Sequence, residues 1–184
     1  RRHILEAYNT ERAYYISYSG KILAEFPANK VVLDPFDECK GSTVIACMYK
    51  VPDAGNSYIL YGLYDSSSGR ELVPCSRKEG YPINEERFVL KDTCLIGPEY
   101  DDFAAIYDKN GNVVCDGGKY QDIDFTYGSS YGIGFAISPT ETYYNVINTD
   151  GKAVGGKYDS IDKDADGNFV CKKGDQTETI KSVK

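Results

Sequence analysis

An all-β fold of tandem antiparallel hairpins is what this sequence predicts, on three observations. Polar turns ending in Gly recur along the chain, strand-sized apolar runs rich in Tyr and β-branched residues flank them, and no segment carries a capped helical period. Four segments share the order strand, Gly turn, strand: AYYISYSGKIL (13–23), YGLYDSSSGRELV (61–73), AAIYDKNGNVV (104–114) and YNVINTDGKAV (144–154). Their turn glycines, Gly20, Gly69, Gly111 and Gly151, stand 49, 42 and 40 residues apart. Asn110-Gly111 and Asp150-Gly151 read as type I′ hairpin turns, in which both central residues take positive φ.

The rest of the unit recurs too. GGKYQDID (117–124) and GGKYDSID (155–162) lie 38 residues apart, and EGYPINEE (79–86) is a fainter copy. A further strand follows each time: STVIACMYK (42–50), RFVLKD (87–92), YGIGFAIS (131–138) and NFVCKK (168–173). HILEAYN (3–9) reads as that strand from an earlier copy, and TETIKSV (177–183) as the first strand of a copy that goes no further. The Tyr-rich strands are expected to alternate as half-buried sheet does. The expectation is one repeat domain over 1–184, with units 13–60, 61–103, 104–143 and 144–184 after a partial unit 1–12. About 40 residues per unit suits four short strands, so the array is expected to be propeller-like, with an open β-solenoid stack as the alternative.

This layout resembles the WG-repeat family, whose units read approximately Trp-Gly-apolar-apolar-Asp, a Gly turn, a second strand and a Tyr-Asp segment. Tyr61-Gly62-Leu63-Tyr64-Asp65 carries the likeness most closely, with Tyr at the family's Trp position. Ala104 to Asp108 and Tyr144 to Asn148 keep the pattern, and Lys119-Tyr120-Gln121-Asp122 and Lys157-Tyr158-Asp159-Ser160 match the Tyr-Asp segment. The resemblance implies a mostly bacterial family of unassigned function, with no catalytic residues to carry over.

Composition narrows the function classes. A formal net charge of −7, with no basic stripe, disfavours nucleic acid. No apolar stretch approaches the roughly 20 residues of a membrane helix. The chain opens at Arg1-Arg2-His3 without an initiator Met, which reads as a processed or trimmed product. Of six cysteines (Cys39, Cys47, Cys75, Cys94, Cys115, Cys171), three sit inside apolar strands (Cys47, Cys115, Cys171), so mostly free, buried thiols are expected. No CxxC pair supports structural zinc.

Four motifs invite a functional reading. Asp162, Asp164 and Asp166, followed by Gly167, resemble the first half of a Ca²⁺ loop, but Val170 and Lys173 occupy the later acidic positions; the competing reading is a solvated hairpin loop turning at Asp166-Gly167. Gly151 to Lys157 fits GxxxxGK, yet Tyr158 replaces the Mg²⁺-binding hydroxyl and no helix follows. The glycines of Gly128 to Gly134 suit a bulge or close strand packing. The carboxylate pairs Glu85/Glu86, Asp101/Asp102 and Asp34/Asp37 are the places a glycosidase would draw its two acids from. A single His, His3, leaves little room for a His-based triad. The 17 Tyr and 7 Phe, with no Trp, suit sheet packing or a contact face for glycan or peptide.

The function expected is therefore a non-catalytic binding or interaction module for an unknown protein or glycan, from the bacterial cell envelope or a secreted protein. A carbohydrate-active enzyme or its accessory glycan-binding domain is the alternative.

Overall fold

In the computed structural model, residues 4–8, 12–17, 20–27, 32–34, 41–50, 58–92 and 103–182 are described. They form strands and turns and no helix. Every strand pairs with its neighbour in sequence, giving five consecutive antiparallel meanders, none of which closes on itself. The first sheet holds β1 (Ile4–Tyr8), β2 (Arg12–Ser17) and β3 (Ile22–Pro27). The second holds β4 (Val32–Asp34), β5 (Thr43–Lys50), β6 (Tyr58–Asp65) and β7 (Arg70–Arg77), and the third β8 (Glu79–Pro82), β9 (Arg87–Asp92), β10 (Phe103–Asp108) and β11 (Val113–Cys115). The fourth has β12 (Asp122–Asp124), β13 (Tyr131–Ile137) and β14 (Thr142–Asn148), extended on β14 by bridges at Ile147–Ala153 and Tyr144–Tyr158. The fifth has β15 (Ser160–Lys163), β16 (Phe169–Lys173) and β17 (Gln176–Ile180). Hydrogen bonding thus divides the chain between the Gly-turn hairpin and the strand after it, a different phase from units counted from the turn.

Successive sheets share cores through opposite faces. Along β9, Phe88 and Leu90 pack with Ile45, Leu63 and Val73 of the second sheet, while Val89 between them packs with Ile123, Ala136 and Ile147 of the fourth. Likewise β10 sends Ala105 and Tyr107 one way and Ala104 and Ile106 the other. In β14, Val146 joins Tyr158, Phe169 and Cys171 at the fifth sheet, and Ile147 faces the third. The half-buried alternation expected of the Tyr-rich strands appears in β13 but is corrected in β10, where four successive residues are buried, as they are in β9, because sheets cover both faces. The fifth sheet ends this pattern. Ile161, Phe169, Cys171 and Ile180 face the fourth sheet, whereas Asp162, Lys172, Thr177 and Thr179 stand exposed on the other face.

The turns form hairpins at the expected places but not of the expected type. Positive φ occurs only at glycine among the described residues, so Asn110 and Asp150 rule out type I′. Gly111 (φ 85) donates to the Asp108 carbonyl at 3.0 Å, and Asp108 donates to the Asn112 carbonyl at 2.9 Å. Gly151 (φ 70) repeats both bonds with Asn148 and Lys152. This is the three-residue hairpin whose last turn residue, a left-handed Gly, makes the bulge. The first residue's side chain decides it: Asp108 Oδ1 accepts the amides of Asn110 and Asn112, and Asn148 Oδ1 those of Asp150 and Lys152. Such an Asx turn holds the second central residue at negative φ and leaves the left-handed position to Gly.

The turns also tie one sheet to the last. Arg87, at the start of β9, donates through Nε and Nη2 to Asp150 of the fourth sheet's turn (2.9 and 2.8 Å), and Thr43 Oγ1 of β5 donates to the Lys109 carbonyl at 2.5 Å. A Cβ on Gly151 would come within 2.4 Å of Cys115 Sγ, so only glycine lets that turn seat on the third sheet.

Candidate functional site

The two motifs flagged at 128–134 and 162–168 meet in space. Between β12 and β13 the chain crosses the end of the fourth sheet through Thr126, Tyr127, Gly128 and Ser129; between β15 and β16 it does the same on the fifth through Asp164 to Asn168. A cleft of about 340 Å³ opens between these connections. Tyr127, Tyr131 and Phe169 supply aromatic lining, and Lys163 and Asp166 the charges. Phe169 is buried and fixed in the core, whereas Tyr127 and Tyr131 are half-buried. Lys163 crosses the gap, its ammonium donating to Thr126 Oγ1 at 3.3 Å and lying 5.6 Å from the Phe169 ring centre.

The three candidate Ca²⁺ ligands have separate placements. Asp162 lies on the exposed face of β15 with Lys172 Nζ 3.4 Å from its Oδ2. Asp164 organises the hairpin loop. Its Oδ1 accepts the amides of Asp166 (2.9 Å) and Asn168 (2.8 Å), and its Oδ2 accepts Asn168 Nδ2 at 3.0 Å. These bonds, from the Asn168 side chain foremost, hold the Asp164 carboxyl below its ordinary range. Asp166 alone reaches the cleft. Among the described residues no three His, Cys, Asp or Glu side chains gather in a metal-holding group. The loop is the Asp108 and Asn148 turn again: Gly167 donates to the Asp164 carbonyl at 3.0 Å, as Gly111 and Gly151 do in theirs.

The other motifs resolve into packing. Gly132 lies under the Asp124 carbonyl and Gly134 against the Tyr120 ring, where added Cβ atoms would come within 2.5 and 2.7 Å. Lys157 of the GxxxxGK match pairs with Glu141 and sits 4.1 Å from the Tyr143 ring centre. Tyr120 and Tyr158 of the two GGKY segments are buried. Tyr120 reaches Asn145 at 3.4 Å, and Tyr158 accepts from the Gly156 amide and donates to Glu178. Desolvation pushes the Tyr120 hydroxyl up to about 12. A second cleft, about 420 Å³, lies beside Tyr158, Cys171 and Glu178. Cys75, Cys115 and Cys171 are buried, and burial, then Glu178, pushes Cys171 up to about 11, so its thiol stays protonated and unreactive.

Among the described residues most carboxylates are occupied. Glu86 pairs with Lys109 at 2.9 Å, Asp92 with Arg77 at 2.7 Å, and Asp122 with the buried Lys91 at 2.8 Å. Burial, the largest single influence, pushes Asp65 and Asp108 up, but turn hydrogen bonds from Ser67 and Ser68 and from Asn112 and Asn110 together carry them below their ordinary range. His3, Asp37, Asp101, Asp102, Cys39 and Cys94 lie outside the described residues, as do the side chains of Asp34 and Cys47. Tyr127, Lys163 and Phe169 were not singled out in the sequence; the signal was the joint placement of an aromatic-Gly pair and an Asp-rich hairpin in adjacent units.

No family model and no curated protein matches the chain.

Proposed function

We propose that the chain is a non-catalytic interaction module: a tandem array of three- and four-stranded meanders, stacked as an open array, with the cleft between its fourth and fifth sheets as the contact site. The recurring turns opened by Asp65, Asp108 and Asn148 and closed by Gly69, Gly111 and Gly151, and the double-sided burial of β9 and β10, support the repeat reading. The exposed Asp162, Lys172, Thr177 and Thr179 favour an open stack over a ring, because ring closure would bring another sheet onto a largely polar face, where Val170 is the one apolar strand residue among those described.

The observation that carries the function is the use already made of the acids. A general acid needs a carboxyl held above its ordinary range; Asp65, Asp108 and Asp164 are held below it, while Glu86, Asp92 and Asp122 are committed to ion pairs. In the cleft, by contrast, aromatic rings and one charge of each sign meet solvent together, as a contact site requires. Incubation with soluble starch, carboxymethyl-cellulose and glycol-chitin, followed by a reducing-end assay, should show no new ends. Release of sugar, abolished by a carboxylate-to-amide substitution, would replace this reading with the carbohydrate-active enzyme.

A further inference from the structure

The cleft is a gap that the neighbouring pair of sheets does not have. At the same end of the third and fourth sheets, the Gly128 amide donates to the Ile83 carbonyl at 2.8 Å, and Ile83 and Phe125 are buried in the shared core. That closes the space between those connections. One sheet further on, the 126–131 and 163–169 segments stand apart around the cleft. Its two glycines face open space: a Cβ built on Gly128 or on Gly167 meets nothing within 4 Å.

The lining chemistry narrows what fits. Lys163 and Asp166 bring one positive and one negative charge, so a net ion of either sign gains little there. Tyr127 and Tyr131 put aromatic carbon in the walls, suited to an apolar C–H surface, and the Asp166 carboxylate can accept from hydroxyl donors. Thr126, Ser129 and Ser182 add short hydroxyls at the walls. A volume of about 340 Å³ is at the small end for ligand sites, which run from roughly 300 Å³. The walls are two connections rather than an open strand edge, so an extended peptide finds no ladder to join. The geometry points to a neutral pyranose ring, one sugar unit of a glycan, as the ligand of this cleft. The inference rests on the reading of the cleft as the contact site and deepens it.

Saturation-transfer NMR with maltotriose, cellotriose and chitotriose tests it on the wild-type chain and on Tyr127→Ala and Asp166→Asn, with Glu86→Gln as a control on the third sheet. At least one trisaccharide should receive saturation from the wild type and from E86Q. Each cleft variant should weaken its binding about tenfold, the effect of losing roughly 1.4 kcal/mol of contact. Melting curves verify that the variants remain folded, and Asp166→Asn, in an exposed loop, keeps the test valid should Y127A unfold. A trisaccharide bound equally by wild type and both cleft variants overturns the cleft as the contact site. No binding of any of the three overturns the pyranose assignment alone, leaving the module to take a ligand of another class.

Discussion

Asp108 shows how much one side chain determines in this protein. Its Oδ1 accepts two turn amides and its Oδ2 the Asn112 side chain, an arrangement Asp164 repeats with Asp166 and Asn168. Asn148 does the same work through one amide oxygen. Asp108→Ala should therefore lower stability by about 1 kcal/mol in urea melts, whereas Asp108→Asn should retain most of it. The pH dependence separates wild type from the amide variant. The folded pKa of Asp108 lies below 3.8, so its contribution is intact above that value and is lost as the pH falls through the folded pKa. The wild-type hairpin should loosen in that acid window, and the Asp108→Asn variant should lack this component, as amide chemical shifts of residues 108–112 would report. At Asp164 the same bonds already occupy both oxygens, so millimolar Ca²⁺ should leave the melting temperature unchanged. A rise that Asp164→Ala abolishes would restore the calcium reading.

At the scale of elements, the turn glycines divide between open and crowded neighbourhoods. Gly167 (φ 81) has open space around a would-be Cβ, while Gly151 (φ 70) is pressed against Cys115 and Ile106 of the third sheet. Gly167→Ala should cost about 1–2 kcal/mol, the strain of a left-handed alanine. Gly151→Ala should cost roughly 1–3 kcal/mol more from overpacking, and should also weaken the Arg87–Asp150 latch. Equal losses at the two positions would mean that the turn does not seat on its neighbour. The glycine spacing made these turns legible in the sequence, and nearly every strand named there appears; β4 was missed, since Val32 to Asp34 is short and has no Gly turn of the repeated kind beside it, only Asp34-Pro35. The turn type was misread because Asn-Gly and Asp-Gly favour type I′ only when the residue opening the loop does not cap it. Here Asp108 and Asn148 do.

For the whole molecule, apolar runs such as Phe88 to Leu90 and Ala104 to Ile106 held the information that the strands are covered on both faces. Alternation, expected of the Tyr-rich strands, holds in β13 and fails in β10, since tyrosine suits either setting: Tyr107 and Tyr120 are buried, while Tyr131 and Tyr143 are only partly so. The cleft was not legible at all. It arises from two segments about 40 residues apart, and which of two adjacent sheet pairs leaves a gap depends on packing that no local motif encodes. Its existence depends on the second to fifth sheets stacking in chain order, each sharing one core with the next. Methyl and aromatic NOEs test that stacking most directly. The account predicts cross-peaks between Ile45 and Leu90, between Ile106 and Ile147, and between Val146 and Phe169, one for each of the three shared cores. Absence of the Ile106–Ile147 contact, or contacts from Ile45 or Leu90 to Phe169 instead, would contradict it.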